Sequence, residues 1–228
     1  MLQSVYRAAL GTGFTLLMTV LGAATVFFFV KATFKEGLQK GMFGFSAGVM
    51  TAAAVWSLLL PAVDRAEALN LPGWLPAAAG ILLGVGFLAW LDHLLPRLRQ
   101  READPSRHNS TLLMTAITLH NIPEGMAVGL AFALAGTQEL RTAAALLALG
   151  IGVQNFPEGA AVALPLRQRG WSRSRSFLLG SLSGAVEPVF GILAAVAAAF
   201  VSGLMPWLLS FAAGAMLYVV VEELVPQA

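Results

Sequence analysis

Glu124, Glu158 and Glu187 each stand in the middle of a long apolar stretch, and no lysine or arginine shares those stretches with them. An unpaired carboxylate at bilayer depth costs several kcal/mol, so such a group must be protonated or neutralised by a bound cation. One buried glutamic acid, hydrogen-bonded between helices, would need no further account. Three of them among metal-ligand residue types point to a cation that supplies the missing counter-charge. Two flanking segments sharpen this: His120-Asn121-Ile122-Pro123-Glu124-Gly125 and Gln154-Asn155-Phe156-Pro157-Glu158-Gly159 repeat an x-N-x-P-E-G pattern 34 residues apart. On a helix, His120 and Glu124, like Gln154 and Glu158, fall on one face. An imidazole nitrogen, amide oxygens and carboxylates suit a borderline divalent ion such as Zn²⁺, and Asn121 or Asn155 could present a carbonyl oxygen to a neighbouring ion.

The prolines and glycines of the repeat have their own work. Pro123 cannot donate to the carbonyl of Leu119, nor Pro157 to that of Val153, so both helices should bend and bare carbonyls where membranes tolerate them, inside protein or beside a wet cavity. Gly125 and Gly159 permit close helix approach. A third break is expected at Ser183-Gly184-Ala185-Val186-Glu187-Pro188. Met50, after Ser46, Ala47 and Gly48, is either ordinary packing or a thioether near the metal. Asp92 with His93, and Glu222 with Glu223, close their helices as solvated boundary residues or as a release relay toward the cytoplasm.

These residues need a membrane scaffold. Of 228 residues 57% are hydrophobic and 11% charged, against about 45–50% and about 25% in soluble domains. The absence of cysteine excludes disulfide frameworks, zinc fingers and iron–sulfur clusters. Seven segments, roughly 8–30, 41–63, 74–94, 110–135, 142–166, 176–202 and 205–221, approach or exceed the length needed to cross a bilayer. The first is too long for a signal peptide. Eleven of the 14 basic residues occupy alternate loops, as Lys31, Lys35 and Lys40, then Arg97, Arg99, Arg101 and Arg107, then Arg167, Arg169, Arg173 and Arg175. The positive-inside rule then places the N-terminus outside and the C-terminus in the cytoplasm. The basic surplus is a topology signal, which removes nucleic acid as a partner. Only 95–109 is polar enough to be a flexible loop, and no second domain is visible in 1–228.

HNIPEG followed by QNFPEG, with the later SGAVEP and FAAGAMLYVVVEELVP, resembles the ZIP (Zrt/Irt-like) divalent-metal transporters, and QNFPEGAAVALPL looks like their prokaryotic GufA-type branch. The similarity runs from the first span to Glu223. It implies an all-α polytopic bundle with an inverted repeat, set in the lipid bilayer of the cell (inner) membrane and often homodimeric in relatives. It also implies a binuclear mid-membrane metal site. One position would use His120, Glu124, Gln154 and Glu158, with Met50 near the entrance. The second would use Asn121, Asn155 and Glu187, with Glu124 and Glu158 bridging. Asp92, Glu222 and Glu223 would line the inner exit path. Two departures stand out. Asn155 occupies a position where relatives often carry Asp or His, which lowers the charge of the second site. Relatives have at least eight spans, where this sequence gives seven.

The expected function is therefore transport of a divalent transition metal, Zn²⁺ foremost, with Cd²⁺, Fe²⁺ and Mn²⁺ also compatible with N/O ligands. The ion would enter from outside near Met50 and Ser46 and leave past Asp92 and Glu222/Glu223 as the helices rock. Two rivals differ in kind. An intramembrane metallohydrolase would need His-Glu-x-x-His, which is absent, so no enzyme is expected. A membrane regulatory protein that binds metal or conducts protons is the other alternative.

Overall fold

The computed structural model describes residues 2–28, 36–99 and 105–228. Lys31, Lys35 and Arg101, and with them part of the expected 95–109 loop, lie outside the described residues. Within them the chain forms helices joined by short turns, with no strand. Helix α1 is Leu2–Phe28. Helix α2 runs from Glu36–Ala52 through a widened turn at Ala53–Leu59 into Leu60–Ala68. Helices α3, Trp74–Arg99, α4, Pro105–Leu134, and α5, Gln138–Gln168, follow. Helix α6 is two pieces, α6a at Arg173–Ser183 and α6b at Val186–Phe200. Helix α7, Met205–Val219, widens at Val220–Leu224 and ends with Val225–Gln227.

Both widened turns lead into a proline, Pro61 and Pro226. A proline offers no N–H to the carbonyl four residues back, and a π turn absorbs that mismatch without breaking the helix. The interruption of α6 has a related cause. Pro188 cannot bond the carbonyl of Gly184, which accepts instead from the N–H of Glu187 at 3.0 Å. The expected break is thus present, centred on Gly184 and Ala185.

Five helices among the described residues are long and apolar enough to cross a membrane: Leu2–Phe28, Lys40–Ala68, Trp74–Leu94, Arg173–Phe200 and Met205–Leu224. The expected spans in α4 and α5 are not in that set. Those two helices carry the x-N-x-P-E-G repeats, and their polar residues lower the hydropathy that identifies a span. Large apolar side chains cover the outside, such as Leu17, Trp56, Leu82, Trp90, Leu146 and Leu193. An exterior of that kind suits hydrocarbon rather than water.

The helices pack as two sets. Helices α1, α4, α5 and α6 surround one another, while α2, α3 and α7 form the second group, and α4 and α5 touch α7 and α2 across the seam. Glycine contacts bring backbones together inside each set. A methyl on Gly159 would strike the carbonyl of Thr19, and one on Gly22 that of Phe156, locking α1 to α5. Gly125 abuts the backbone of Glu187, and Gly129 that of Gly191, locking α4 to α6b. In the second set Gly84 meets Phe211 and Gly214 meets Ile81. Close backbone approach through small residues is the means by which helices associate where burial from water supplies no driving force.

Candidate metal centre

Helices α4, α5 and α6 deliver the acidic residues to the interior of the first set. His120, Asn121 and Glu124 on α4, Gln154 and Asn155 on α5, and Glu187 on α6b are all buried, and Glu158 on α5 is half-buried. Glu187 falls in the first turn of α6b, where the helix dipole favours a negative group. The interruption of α6 therefore positions one carboxylate, and the contact of Gly125 with the Glu187 backbone sets α4 against it.

The ligand-type residues are cross-linked in pairs. Gln154 Nε2 donates to Glu124 Oε1 at 2.6 Å, and Asn155 Nδ2 donates to Glu187 Oε1 at 2.8 Å. Asn121 Nδ2 donates to the carbonyl of Ser183, the last residue of α6a, at 2.9 Å. Each amide thus spends its N–H group inside the protein and keeps its carbonyl oxygen unused. Eight buried side-chain polar atoms among the described residues have no hydrogen-bond partner, and six are Asn121 Oδ1, Glu124 Oε2, Gln154 Oε1, Asn155 Oδ1, Glu158 Oε2 and Glu187 Oε2. All six are oxygens that only accept unless protonated. Natural interiors leave few such groups bare, and a cation is the partner that serves several acceptors at once. Among the residues whose side chains are described, no Lys or Arg is buried.

Among the described residues no three His, Asp or Glu side chains gather into a ready-made cage. The pairing explains this: one oxygen of Glu124 and one of Glu187 is held by an amide, and His120 Nε2 is engaged by Glu223 Oε1 of α7. The ligand set is assembled but turned onto its own members.

The remaining expected residues are placed as follows. Met50 is fully buried on α2, and its neighbour Val49 contacts Gly150, one turn before Gln154. Ser46 is buried near the start of α2, where Gly44 approaches Ala228. Ser46 therefore lies toward the Glu222/Glu223 end of the molecule, not at the far mouth expected of it. Asp92 of α3 is hydrogen-bonded to Tyr218 of α7, with Glu222 and Glu223 in electrostatic range of that tyrosine. Glu222 and His93 are exposed, Asp92 and Glu223 half-buried.

Three participants escaped the sequence reading. Thr19 Oγ1 of α1 donates to Glu187 Oε1 at 3.5 Å, and Thr15, whose hydroxyl bonds the carbonyl of Thr12 at 2.9 Å, lies close to the same carboxylate. Thr12, Thr15 and Thr19 are wholly buried, and their helical spacing on one face was the available signal. Tyr218 is the third, four residues before Glu222 and hence on its face of α7.

The fold and this centre define a polytopic helical membrane protein with buried acidic and amide ligands and, among the residues whose side chains are described, no buried Lys or Arg to partner them. Comparison with known proteins narrows the class. The family described as "ZIP Zinc transporter" matches residues 99–228. "Zinc transporter ZIP11" of Xenopus tropicalis is 36% identical across 98% of this chain and 90% of its own length, and that of Homo sapiens 35% across 99% and 90%. "Zinc transporter GufA" of Myxococcus xanthus is 42% identical across 84% of this chain and 74% of its own length. The chain belongs to the ZIP zinc transporter family. That membership sets the metallohydrolase reading aside.

Proposed function

We propose that the chain carries Zn²⁺, or a divalent ion of similar ligand preference, across the membrane into the cytoplasm. The observation that supports this most directly is the set of six buried acceptor oxygens left without a donor, all on residues of the two repeats and α6. In this reading His120, Glu124, Gln154 and Glu158 hold the ion, and Asn121, Asn155 and Glu187 form the adjoining second position. Met50, whose neighbour Val49 faces Gly150 on α5, would flank the first position. The metal is the cargo, so its ligands must also let it go. In this reading Glu223, whose Oε1 meets His120 Nε2, accepts the ion next, with Glu222 and Asp92 beyond it.

Uptake begins at the opposite end. A cavity of about 320 Å³ lies there, lined by Ser4, Arg65, Leu134 and Met205 among others, at the start of α1 and α7 and the ends of α2 and α4. Its position, rather than that of Ser46, supports an outer vestibule. Transport by alternating access would rock the set α1, α4, α5 and α6 against α2, α3 and α7, as broken-helix transporters with midplane sites do.

The test is uptake of radioactive zinc into proteoliposomes. The wild type is expected to exceed empty liposomes, and the Glu124→Ala/Glu158→Ala double variant to match them. Wild-type flux no higher than that of the double variant would defeat the transporter reading and leave a regulatory one.

A further inference from the structure

The seam between the two helix sets is not closely packed along its whole length. Helix α3 lies tightly on α7 but barely meets α4, and a crevice of about 190 Å³ occupies the gap. Its walls come from both sets: Phe87 and Leu88 of α3 with Ala215 of α7 on one side, Ile122 and Pro123 of α4 with Phe190 of α6b on the other. Every lining residue is apolar. Leu88, Pro123 and Ala215 are buried, whereas Ile122 and Phe190 are half-buried and Phe87 is exposed. The crevice thus has a closed floor and an open mouth. That mouth is continuous with the hydrocarbon-suited exterior, because Phe87 lies 6.3 Å from the ring of exposed Trp90 and one turn from exposed Leu83.

Chemistry and depth together select the occupant. The walls offer no side-chain oxygen or nitrogen to an ion or a water, and an apolar cavity of about 150 Å³ stays dry yet binds benzene. Left bare, such walls forfeit the dispersion contacts that a close-packed interior makes. Ala215 lies at the middle of the span Met205–Leu224, and Pro123 adjoins Glu124 of the metal centre. The mouth therefore opens near the centre of the bilayer, where lipid chains end and headgroups do not reach.

An occupant would touch both sets at once. Helices α4 and α7, two of the walls, are also the helices that His120 and Glu223 join. Movement between the sets would change the spacing of those walls. A chain that fits the present spacing would then favour the arrangement in which Glu223 engages His120. Zinc needs the same imidazole. We propose that this crevice binds the terminal segment of a phospholipid acyl chain, and that its occupancy opposes metal binding at His120. The lipid site requires only the bilayer; its opposition to zinc rests on the transporter reading above.

The experiment uses the full purified chain in phosphatidylcholine nanodiscs that contain a lipid with a diazirine near the end of one acyl chain. After illumination, mass spectrometry locates the adducts. Labelling at the crevice residues Phe87, Ile122 and Phe211 is expected to exceed severalfold that at the outward-facing Trp56, Leu82 and Leu146. Ala215→Leu and Ile122→Phe, which fill the crevice from opposite sets, should each reduce crevice labelling to the outward level. An unchanged outward pattern and helical circular dichroism show that the variants are folded. Saturating zinc should lower wild-type crevice labelling severalfold, because two opposed sites weaken each other reciprocally. Crevice labelling no greater than outward labelling, as when a second copy covers the mouth, overturns the lipid site, and so does labelling that survives both fillings. Enriched labelling that bound zinc leaves unchanged overturns the opposition. A chain that keeps the crevice label and binds no zinc overturns the transporter reading, and the lipid site stands without it.

Discussion

His120 cannot serve a metal and Glu223 at once. Its Nε2 is engaged by Glu223 Oε1, a contact that joins α4 to α7 across the two helix sets. An arriving ion must displace that carboxylate or draw it in as a further ligand, and the first alternative makes Glu223 a competitor in the resting site. Hydrogen bonds involving a charged partner contribute about 1.5–3 kcal/mol, so the competition is large enough to measure. Glu223→Ala is expected to raise zinc affinity of the purified chain by about tenfold, equivalent to about 1.4 kcal/mol, and to slow zinc release in proteoliposomes. Competition titration against a fluorescent chelator reads the affinity. An affinity that falls would make Glu223 a ligand rather than a competitor. At this scale the sequence was informative where residue type and depth suffice. A Glu in an apolar run with no basic neighbour is legible without a structure, and so is the i, i+4 pairing within each repeat. The orientation of an amide is not, because whether Asn155 turns its N–H or its oxygen toward Glu187 depends on a residue 32 positions away. The threonines share a legible face of α1, but the partner they meet there was illegible for a similar reason. A threonine in an apolar helix usually bonds its own backbone, as Thr12 does to Ala8 O at 2.8 Å and Thr15 to Thr12 O at 2.9 Å, and only the proximity of α6 gives Thr19 a second partner in Glu187.

The helices themselves were read from apolar length, which does not require tertiary knowledge. What it could not give was how each proline is accommodated. Pro123 and Pro157 lie inside continuous helices, Pro61 and Pro226 follow π turns, and Pro188 accompanies a true break. The local chemistry is the same in all five; the neighbours differ. At Glu187 the backbone is pinned by Gly125, so the chain yields beside that contact. The glycines therefore determine helix spacing and, through it, site geometry. Adding a methyl at Gly125 or Gly159 would drive it into the backbone of a facing helix, whereas Gly86 on α3 has nothing within 4 Å. Overpacking against a rigid neighbour costs about 1–3 kcal/mol. Gly→Ala in an open helix position is favourable by up to about 1 kcal/mol. Gly125→Ala and Gly159→Ala should lower the thermal unfolding midpoint in detergent and reduce zinc binding together, and Gly86→Ala should leave binding unchanged with a midpoint equal to or above the wild type. If Gly125→Ala matched Gly86→Ala in both measures, close approach of α4 and α6 would not be what sets the centre.

At the level of the whole molecule, the division into two helix sets makes the transport proposal mechanical. All the deep carboxylates belong to one set, α1, α4, α5 and α6, while Met50, Asp92, Glu222 and Glu223 belong to the other. In the proposed mechanism the ligands that would capture the ion and the groups that would receive it are thus on different bodies, and relative movement of the bodies would change which of them the ion meets. The chain has no native cysteine, so a pair of introduced cysteines can report on this motion without background. Gly44 and Ala228 lie within one set, and a Cβ at Gly44 would sit 3.7 Å from that of Ala228, inside the span of about 3.5–4.5 Å that a disulfide bridges. Val49 and Gly150 lie on opposite sides of the seam, with Val49 Cγ1 at 3.3 Å from a Cβ at Gly150. Oxidising Gly44→Cys/Ala228→Cys should leave zinc flux near that of its reduced form, because the bridge joins parts that travel together. Oxidising Val49→Cys/Gly150→Cys should stop flux, and dithiothreitol should restore it, while equilibrium zinc binding survives in both. Persistent flux through the oxidised seam pair, with the bridge verified by mass spectrometry, would mean that the two sets do not move against each other at α2 and α5. The ion would then pass through a fixed pore, and the exchange of His120 between zinc and Glu223 would be a local side-chain event rather than the consequence of a rocking helix set.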